Sequence, residues 1–544
     1  MNGRVRVWRG VTRVLAAVAV SVLAGAVGAL APPAAGAQAP LLLEPKLSLR
    51  TAVDGLELPT SIAFLGSDDM LVLEKDTGKV KRVVDGAVSA TVLDLAVNNF
   101  SERGLLGIAL HPRFPTTPWV YLYWSCRTED LPADPFVPDQ RRCSDADMLG
   151  ADTSDVLRAP LLGNRVDRFV WDGAALRFDR HLTTFLAFQN DAAPVPPGQG
   201  DSADGPHGAQ PARGNHDGGV IAFGPDGKLY VVVGDLGRRG QLQNLPSGPT
   251  ATGLGPLMAD DQFGGPEPDD AHFAGVVVRL NEDGTTPSDN PFFAVGARIG
   301  GEAGANVQRV FTYGLRNTFG MDFDPRSGEL WVQENGEDAF DELNRVTPGQ
   351  NSGWIQVAGP LRRIAQFRQI ETSSLHHDDF PNLQQFRWGP ERIAETAAEA
   401  RSRLFALPGS RYSDPELSWS HVLAPAAIGF AKGKGPGKKK AEGLGRGFSG
   451  DLFMGFSTTD TLGGPLFHFD LTGNRRKIAV RDRRLKDRVA DNLTFHDITE
   501  SESLLIGQDF GIVTDIETGP NGNLFVVSLS NGAIYEIERR GRNR

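Results

Sequence analysis

The chain has 544 residues, with 64 glycines and 36 prolines in an ordinary apolar background of 40%. So many turn-forming residues are typical of short strands joined by loops. The net charge of −11 at neutral pH argues against binding to a nucleic-acid backbone, because that backbone repels an acidic surface.

The first 37 residues predict a secretory signal peptide. Four arginines precede an apolar run over residues 14–31, and Ala35-Gly36-Ala37 matches a cleavage site. A membrane anchor is the alternative, although a spanning helix needs about 20 clean apolar residues. We therefore expect an exported protein, periplasmic or extracellular, with one domain over residues 38–544. We expect no membrane span once the signal is removed.

One pattern recurs six times in the remaining chain: an apolar strand, a turn and a second apolar strand. The six copies lie at residues 62–73, 108–123, 220–233, 321–332, 428–455 and 516–527. Several turns read Pro-Asp-Gly or Pro-Asn-Gly, which form hairpins because Pro presets φ and Gly supplies φ > 0. Each hairpin is half of a four-stranded blade. The sequence therefore predicts an all-β, six-bladed β-propeller.

The chain is longer than six bare blades need, so long loop insertions are expected. The clearest insertions are residues 126–158, 189–213 and 357–408, and the last contains the helix candidate Glu391–Phe405. Cys126 and Cys143 predict a disulfide in an exported protein. The basic stretch Lys432–Lys440 is glycine-rich, which favours a solvated loop over a polyanion-binding site.

The pair His216 and Asp235 flanks the best hairpin. Residues before the first strand and after the second lie at the same end of a hairpin, so these side chains are expected to meet. A carboxylate beside an imidazole fixes its tautomer and increases its basicity, which suits a general base. A purely structural histidine is the alternative.

Arg316 and Asn317 precede the next hairpin, and an acidic segment over residues 334–342 follows it. The arginine is suited to an oxyanion or a quinone carbonyl. Carboxylates and carbonyls around Gly336, Glu337 and Asp341 suit a hard cation such as Ca²⁺. A solvated acidic loop is the alternative.

A third segment, residues 101–107, contains Glu102 and Arg103 immediately before another apolar strand. By itself it reads as a surface turn with a salt bridge. All three segments, however, precede the first strand of a hairpin. We therefore expect them at one end of the propeller.

With these motifs the sequence resembles the soluble glucose/sorbosone (aldose sugar) dehydrogenases that depend on pyrroloquinoline quinone (PQQ). The similarity extends from about residue 58 to residue 538, and its motifs are ERGLLGIALHPRF, NHDGGVIAFGPDGKLYVVVGD, and YGLRNTFGMDFDPRSGELWV with the following DELNRVTPGQNSGW. The resemblance implies a six-bladed propeller that holds PQQ and Ca²⁺ over its axis.

The resemblance also implies roles for individual residues. His216 matches the general base that takes a proton from the sugar hydroxyl, and Asp235 matches the carboxylate that orients it. Arg316 and Asn317 match contacts to the quinone oxygens, and Arg316 is also expected to act in the reaction. Glu102 occupies a position where many members have a cofactor-contacting Gln. Gly336 and Glu337 match positions whose carbonyls bind calcium.

Two family features are missing. The region of residues 457–459 has neither the usual Lys nor an Arg, and the run 512–515 replaces an Arg-x-Arg-Asp segment. These basic residues neutralise the three carboxylates of PQQ, and burying such groups unpaired is costly.

The sequence therefore predicts a quinoprotein oxidoreductase with a sugar or related alcohol as substrate and an external electron acceptor as partner. Two alternatives remain open. One is a Ca²⁺-dependent hydrolase such as a lactonase, since a propeller with an axial cation and a histidine base can also run that chemistry. The other is a non-catalytic module that binds carbohydrate or protein.

Overall fold

The computed structural model describes residues 39–95, 97, 99, 102–125, 163–185, 216–235, 274–373, 393–433 and 443–541. These residues lie in one compact unit that spans Gln38–Arg544. The signal peptide, both cysteines and the insertions at residues 126–158 and 189–213 lie outside the described residues, so the predictions made for them stay predictions. No helix in the described ranges is both long and apolar enough to cross a membrane.

The described strands form six sheets, which we number along the chain. Sheet 1 contains Pro59–Gly66, Asp69–Glu74, Lys79–Val84 and Ala87–Asp94. Sheet 2 contains Leu105–Leu110, Trp119–Ser125, Asn164–Trp171 and Leu176–Phe185. Sheet 3 contains Ile221–Phe223, Leu229–Val233, Val276–Leu280, Val310–Tyr313, Gln350–Asn351 and Arg411–Tyr412.

Sheet 4 contains Met321–Phe323, Leu330–Glu334, Ala339–Val346, Leu417–His421 and Val489–Ala490. Sheet 5 contains Pro425–Phe430, Leu452–Phe456, Leu466–Phe469, Leu505–Gln508 and Leu41–Leu42. Sheet 6 contains Val513–Thr518, Leu524–Ser528 and Ala533–Arg539, with Leu47–Val53 as its outer strand. This last pairing joins the two ends of the described chain.

We call the strand that is named first for each sheet above its inner strand. Each inner strand contacts the next, and the one in sheet 6 contacts the one in sheet 1, so the ring closes. Buried apolar side chains form a separate core between each pair of neighbouring sheets. All six hairpins predicted from the sequence are present as antiparallel pairs. The expected all-β, propeller-like arrangement is confirmed.

Few helices are present in the described part. The α-helices are Phe293–Ile299, Gly301–Arg309, Ile364–Glu371 and Ala397–Arg403, and the 3-10 helices are Leu361–Arg363, Arg484–Asp487 and Glu502–Leu504. The predicted helix Glu391–Phe405 is therefore shorter than expected. It begins after Thr396, whose hydroxyl accepts a hydrogen bond from the backbone N–H of Glu399, and it ends where Leu404 turns extended.

Candidate active site

The three segments singled out in the sequence meet at one end of the inner strands. Glu102 precedes the inner strand of sheet 2, His216 that of sheet 3 and Arg316 that of sheet 4. The backbone N–H of Asp235 donates to the carbonyl of Arg316 at 2.7 Å, which joins two of the segments. A Cβ on Gly234 would lie 2.4 Å from the carbonyl oxygen of His216, so this close approach requires glycine.

His216 and Asp235 form a buried pair. The Nδ1 atom of His216 lies 2.6 Å from Oδ1 of Asp235, and the histidine is 2% exposed. Because a carboxylate accepts a hydrogen bond, it selects the tautomer with the proton on Nδ1, and Nε2 is then the acceptor. His216 has a positive φ of 59°, a conformation that is uncommon outside glycine and recurs at functional sites.

Glu102 holds the backbone of His216 in this conformation. Its Oε2 atom accepts a hydrogen bond from the His216 backbone N–H at 2.5 Å, and its Oε1 atom lies 3.3 Å from Nδ2 of Asn317. Burial raises the pKa of Glu102, although the hydrogen bond from the His216 backbone and the charge of Arg316 oppose the rise. A single carboxylate therefore links the residues that were predicted to be the base and a cofactor contact.

Arg316 is fixed by three contacts. Its Nη1 atom donates to the carbonyl of Asn335 at 2.8 Å, and its Nη2 atom donates to Oε2 of Glu337 at 2.6 Å. The guanidinium lies 5.5 Å from the ring centre of Trp354. Burial lowers the pKa of Arg316, but Glu337 and Asp235 outweigh burial and raise it overall, so the side chain stays charged.

Buried carboxylates crowd the loop after this hairpin. Burial is the main cause that raises the pKa of Asp338 and Asp341 to about 6, that of Glu342 to about 7, and that of Glu334 and Glu371 well above the usual value. Within the described ranges, the buried Oε2 atom of Glu334 has no hydrogen-bond partner. A cluster of buried carboxylates suits a hard divalent cation, which binds oxygen ligands.

Asp341, which was predicted as a metal ligand, accepts hydrogen bonds from three backbone N–H groups. Its Oδ1 atom accepts the Gly336 backbone N–H at 2.8 Å, and its Oδ2 atom accepts those of Leu423 and Ala424. Both oxygens are therefore used to shape the loop that presents Gly336 and Glu337. Asp341 thus supports the loop of the predicted ligands, and its own assignment as a ligand stays a prediction.

Two contributors to the site were not predicted as such. Trp354 donates from Nε1 to Oδ2 of Asp235 at 2.7 Å, so it holds the far side of the carboxylate that orients His216. Glu371 comes from the insertion at residues 357–408 and accepts the backbone N–H groups of Asp338 and Ala339. Trp354 is the last residue of the motif DELNRVTPGQNSGW, so the sequence offered a signal for it. Glu371 has no local signal, because only the folded insertion brings it there.

A cavity of about 830 Å³ lies at the other end of the inner strands. Its walls include Phe223, Asp322, Lys432 and Asp515 together with the hairpin turn around Pro325. Neither His216 nor Arg316 lines it. This cavity is therefore distinct from the site of the His–Asp pair.

The residues present suit one half of a quinone cofactor. Arg316 can face its carbonyl oxygens, and the buried Oδ1 atom of Asn317 has no hydrogen-bond partner in the described part of the chain. The carboxylates of PQQ lack the basic residues that neutralise them in the family, since residues 457–459 and 512–514 contain no Lys or Arg. Asp515, which matches the Asp of the Arg-x-Arg-Asp segment, accepts hydrogen bonds from the Ser61 hydroxyl and the Ile62 backbone N–H. Arg238 and Arg239 lie outside the described residues.

Comparisons with known proteins agree with the resemblance seen in the motifs. A family model described as Glucose / Sorbosone dehydrogenase matches residues 56–160 and 207–362. Quinoprotein glucose dehydrogenase B of Acinetobacter calcoaceticus is 24% identical over 57% of this chain and 52% of its own length. Aldose sugar dehydrogenase YliI of Escherichia coli is 33% identical over 26% of this chain and 30% of its own length. The chain thus matches about half or less of the length of these two relatives.

Solved structures share the fold. A putative oxidoreductase (glucose dehydrogenase) from Thermus thermophilus covers 90% of this chain and 99% of its own, with a TM-score of 0.52 at 24% identity. The soluble aldose sugar dehydrogenase of Escherichia coli covers 91% of this chain and 100% of its own, with a TM-score of 0.52 at 20% identity. The likeness extends over nearly the whole chain, including the sheets outside the family match.

Proposed function

The chain belongs to the glucose/sorbosone dehydrogenase family, and from this premise we propose that it is a quinoprotein oxidoreductase that oxidises a sugar or related alcohol. The observation that carries the proposal is the buried His216–Asp235 pair beside Arg316 and Asn317. The members of this pair lie 2.6 Å apart, and they come from the two ends of one hairpin. The family premise is what favours oxidation over other reactions of a histidine base.

In the proposed reaction, Nε2 of His216 accepts the proton of the substrate hydroxyl. Asp235 holds the imidazole in the required tautomer and stabilises the charge that develops on it. When bound, PQQ would accept the hydride from the substrate carbon that carries this hydroxyl. Arg316, which remains charged, would stabilise negative charge that develops on a bound quinone. An external acceptor is the proposed final partner.

We assign calcium to the loop after the hairpin of sheet 4. The carbonyls of Gly336 and Glu337 are the proposed ligands, and Asp341 holds their backbone in place. The raised pKa values of the surrounding carboxylates support a cation there, because a divalent ion would offset the cost of their burial. Calcium would also supply a Lewis acid at the site.

Two further features belong to the same proposal. The closed ring of six sheets, with a core between each pair, supports the expectation of six blades. Export after removal of residues 1–37, to the periplasm or the exterior, follows from the arginines and the apolar run of that segment. Detection of the protein with a new N-terminus near residue 38 outside the cytoplasm would test this.

The direct test uses the purified mature protein with Ca²⁺ and PQQ. We expect the quinone absorbance to change on binding, and aldoses then to reduce a redox dye. His216→Ala should lower the rate of dye reduction by about 10²–10⁴-fold, the usual contribution of a general base, whereas His181→Gln should retain the full rate. His181 is a matched control because it also pairs with a carboxylate, Asp167, but on the outer strand of sheet 2.

Three results would refute the proposal or favour another function. Absence of both the absorbance change and dye reduction would refute the proposal. Hydrolysis of lactones without quinone would favour the calcium-dependent hydrolase. Carbohydrate or protein binding that survives His216→Ala, with no turnover of either kind, would favour a binding module.

A further inference from the structure

A second group of metal-ligating side chains lies in sheet 5, away from the His216 pair. Asp451, His468 and Asp470 each offer one ligand atom, and these atoms all lie within 4.8 Å of one another. All three side chains are partly buried, with exposures of 12%, 19% and 28%. The proposed function uses none of them.

The strand register creates this cluster. The strands Leu452–Phe456 and Leu466–Phe469 are antiparallel with Leu452 opposite Phe469. One step further along the register, Asp451 stands opposite Asp470. Like charges directly opposite each other are destabilising, so this pair calls for a cation between its members. His468 lies on the same strand face, diagonal to Asp451, and completes the group.

Atom distances favour a small transition-metal ion. The Nε2 atom of His468 lies 3.1 Å from Oδ2 of Asp451 and 3.9 Å from Oδ1 of Asp470. A tetrahedral zinc ion with bonds of about 2.1 Å separates its ligand atoms by about 3.4 Å. These two distances thus need to change by only about half an ångström or less, and the distance between the two carboxylates is at most 4.8 Å. Calcium is a poorer match, since it prefers six to eight oxygen ligands.

The surroundings hold the imidazole and leave room for a fourth ligand. The rings of Phe448 and Phe453 lie 5.2 and 5.0 Å from that of His468, centre to centre. A cavity of about 380 Å³ has His468 and Asp470 in its wall, which is space enough for metal-bound water. The competing cation is Arg481, which pairs with Asp470 but is 85% exposed.

We propose that Asp451, His468 and Asp470 form a binding site for one divalent transition-metal ion, with Zn²⁺ as the probe. Two carboxylates and a neutral imidazole give zinc an uncharged site. The ion would connect Asp451, just before the strand Leu452–Phe456, with Asp470, just after the neighbouring strand Leu466–Phe469. Its expected role is therefore to stabilise sheet 5, at the hairpin-turn end of the propeller rather than at the His216 end.

Calorimetric titration of the calcium-saturated mature protein with Zn²⁺ tests the proposal. We expect one equivalent of zinc to bind and to raise the melting temperature. His468→Gln should weaken this binding by at least about 100-fold, since even residues outside the ligand shell change metal affinity 10–100-fold. His496→Gln is the matched control, because that histidine also faces an aspartate, Asp460, at 4.0 Å.

Two more variants keep the test decisive if His468→Gln folds poorly. Asp470→Asn should weaken zinc binding, whereas Arg481→Gln should strengthen it by no more than about fivefold, because an exposed ion pair is a weak competitor. Co²⁺ in place of zinc should give the visible absorption of a four-coordinate site, and that absorption should vanish in Asp470→Asn. Unchanged zinc affinity and stoichiometry in His468→Gln or in Asp470→Asn would overturn the proposal. So would the absence of a bound equivalent in the unmodified protein.

Discussion

Asp235→Asn is the sharpest perturbation of the proposed site. The two oxygens of Asp235 accept from Nδ1 of His216 at 2.6 Å and from Nε1 of Trp354 at 2.7 Å. An asparagine can accept one of these bonds, but its NH₂ group then meets the other donor. Either Trp354 loses its acceptor, or His216 changes tautomer and places its proton on Nε2, where a base cannot use it.

The expected magnitude follows from these alternatives. General-base catalysis contributes about 10²–10⁴-fold to rate, and the tautomer change removes most of it. We therefore expect kcat to fall by about 10²–10³-fold while substrate binding changes little. A buried donor left unpaired costs about 1–3 kcal/mol, so the free energy of unfolding should fall by that amount. The fold should survive, since six interfaces between sheets are untouched.

The assay is dye-linked sugar oxidation by the protein reconstituted with Ca²⁺ and PQQ, together with urea unfolding. His216→Ala and the double variant complete a mutant cycle. Because the two residues act as one unit, Asp235→Asn should add little to the loss already caused by His216→Ala. If the two losses instead multiply, Asp235 does not act through His216, and our reasoning is wrong.

Three further predictions concern other groups. Arg316→Lys should lower kcat/KM by about 10–100-fold, because a lysine cannot reproduce the forked contact to Asn335 and Glu337. As a control, Arg484→Lys at an exposed ion pair should leave kcat/KM unchanged. Burial is the main cause that raises the pKa of Asp515 to about 7, and the neighbouring Glu517 adds to it. The folded protein therefore holds a proton on Asp515 that the unfolded chain loses near pH 4. The stability that this proton contributes is lost as the pH rises from about 4 to 7. Asp515→Asn should consequently be more stable than the unmodified protein at pH 8, by about 1–2 kcal/mol after allowing for the partial exposure of the side chain. At pH 4 the two proteins should be equally stable. A gain in stability that chemical denaturation finds to be independent of pH would contradict this prediction. Chelation of calcium should lower the melting temperature more at pH 8 than at pH 5, since the carboxylates near the site must be ionised to favour the ion, and an equal effect at both values would count against a carboxylate-supported site.

Much of the architecture is local, and the sequence predicted it. Each hairpin is encoded within about 15 residues by alternating apolar positions and a turn with its own preferred geometry. The end shared by His216 and Asp235 follows from hairpin geometry alone, and their contact at 2.6 Å agrees with it. Arg316 meets Glu337 for the same reason.

What the sequence could not determine depends on contacts between distant segments. The carboxylate of Glu102 reaches the backbone of His216 across 114 positions, and Trp354 reaches Asp235 across 119. Glu371 enters the acidic loop only because a helix of the insertion packs there. Asp341 was predicted as a metal ligand, but its Oδ2 atom also accepts the backbone N–H groups of Leu423 and Ala424, which no local pattern indicates. By itself the sequence determined the hairpins and which residues face one end, since these depend on neighbours along the chain. Only the tertiary structure decided which side chain supports, orients or neutralises another, since those contacts arise where separate sheets meet.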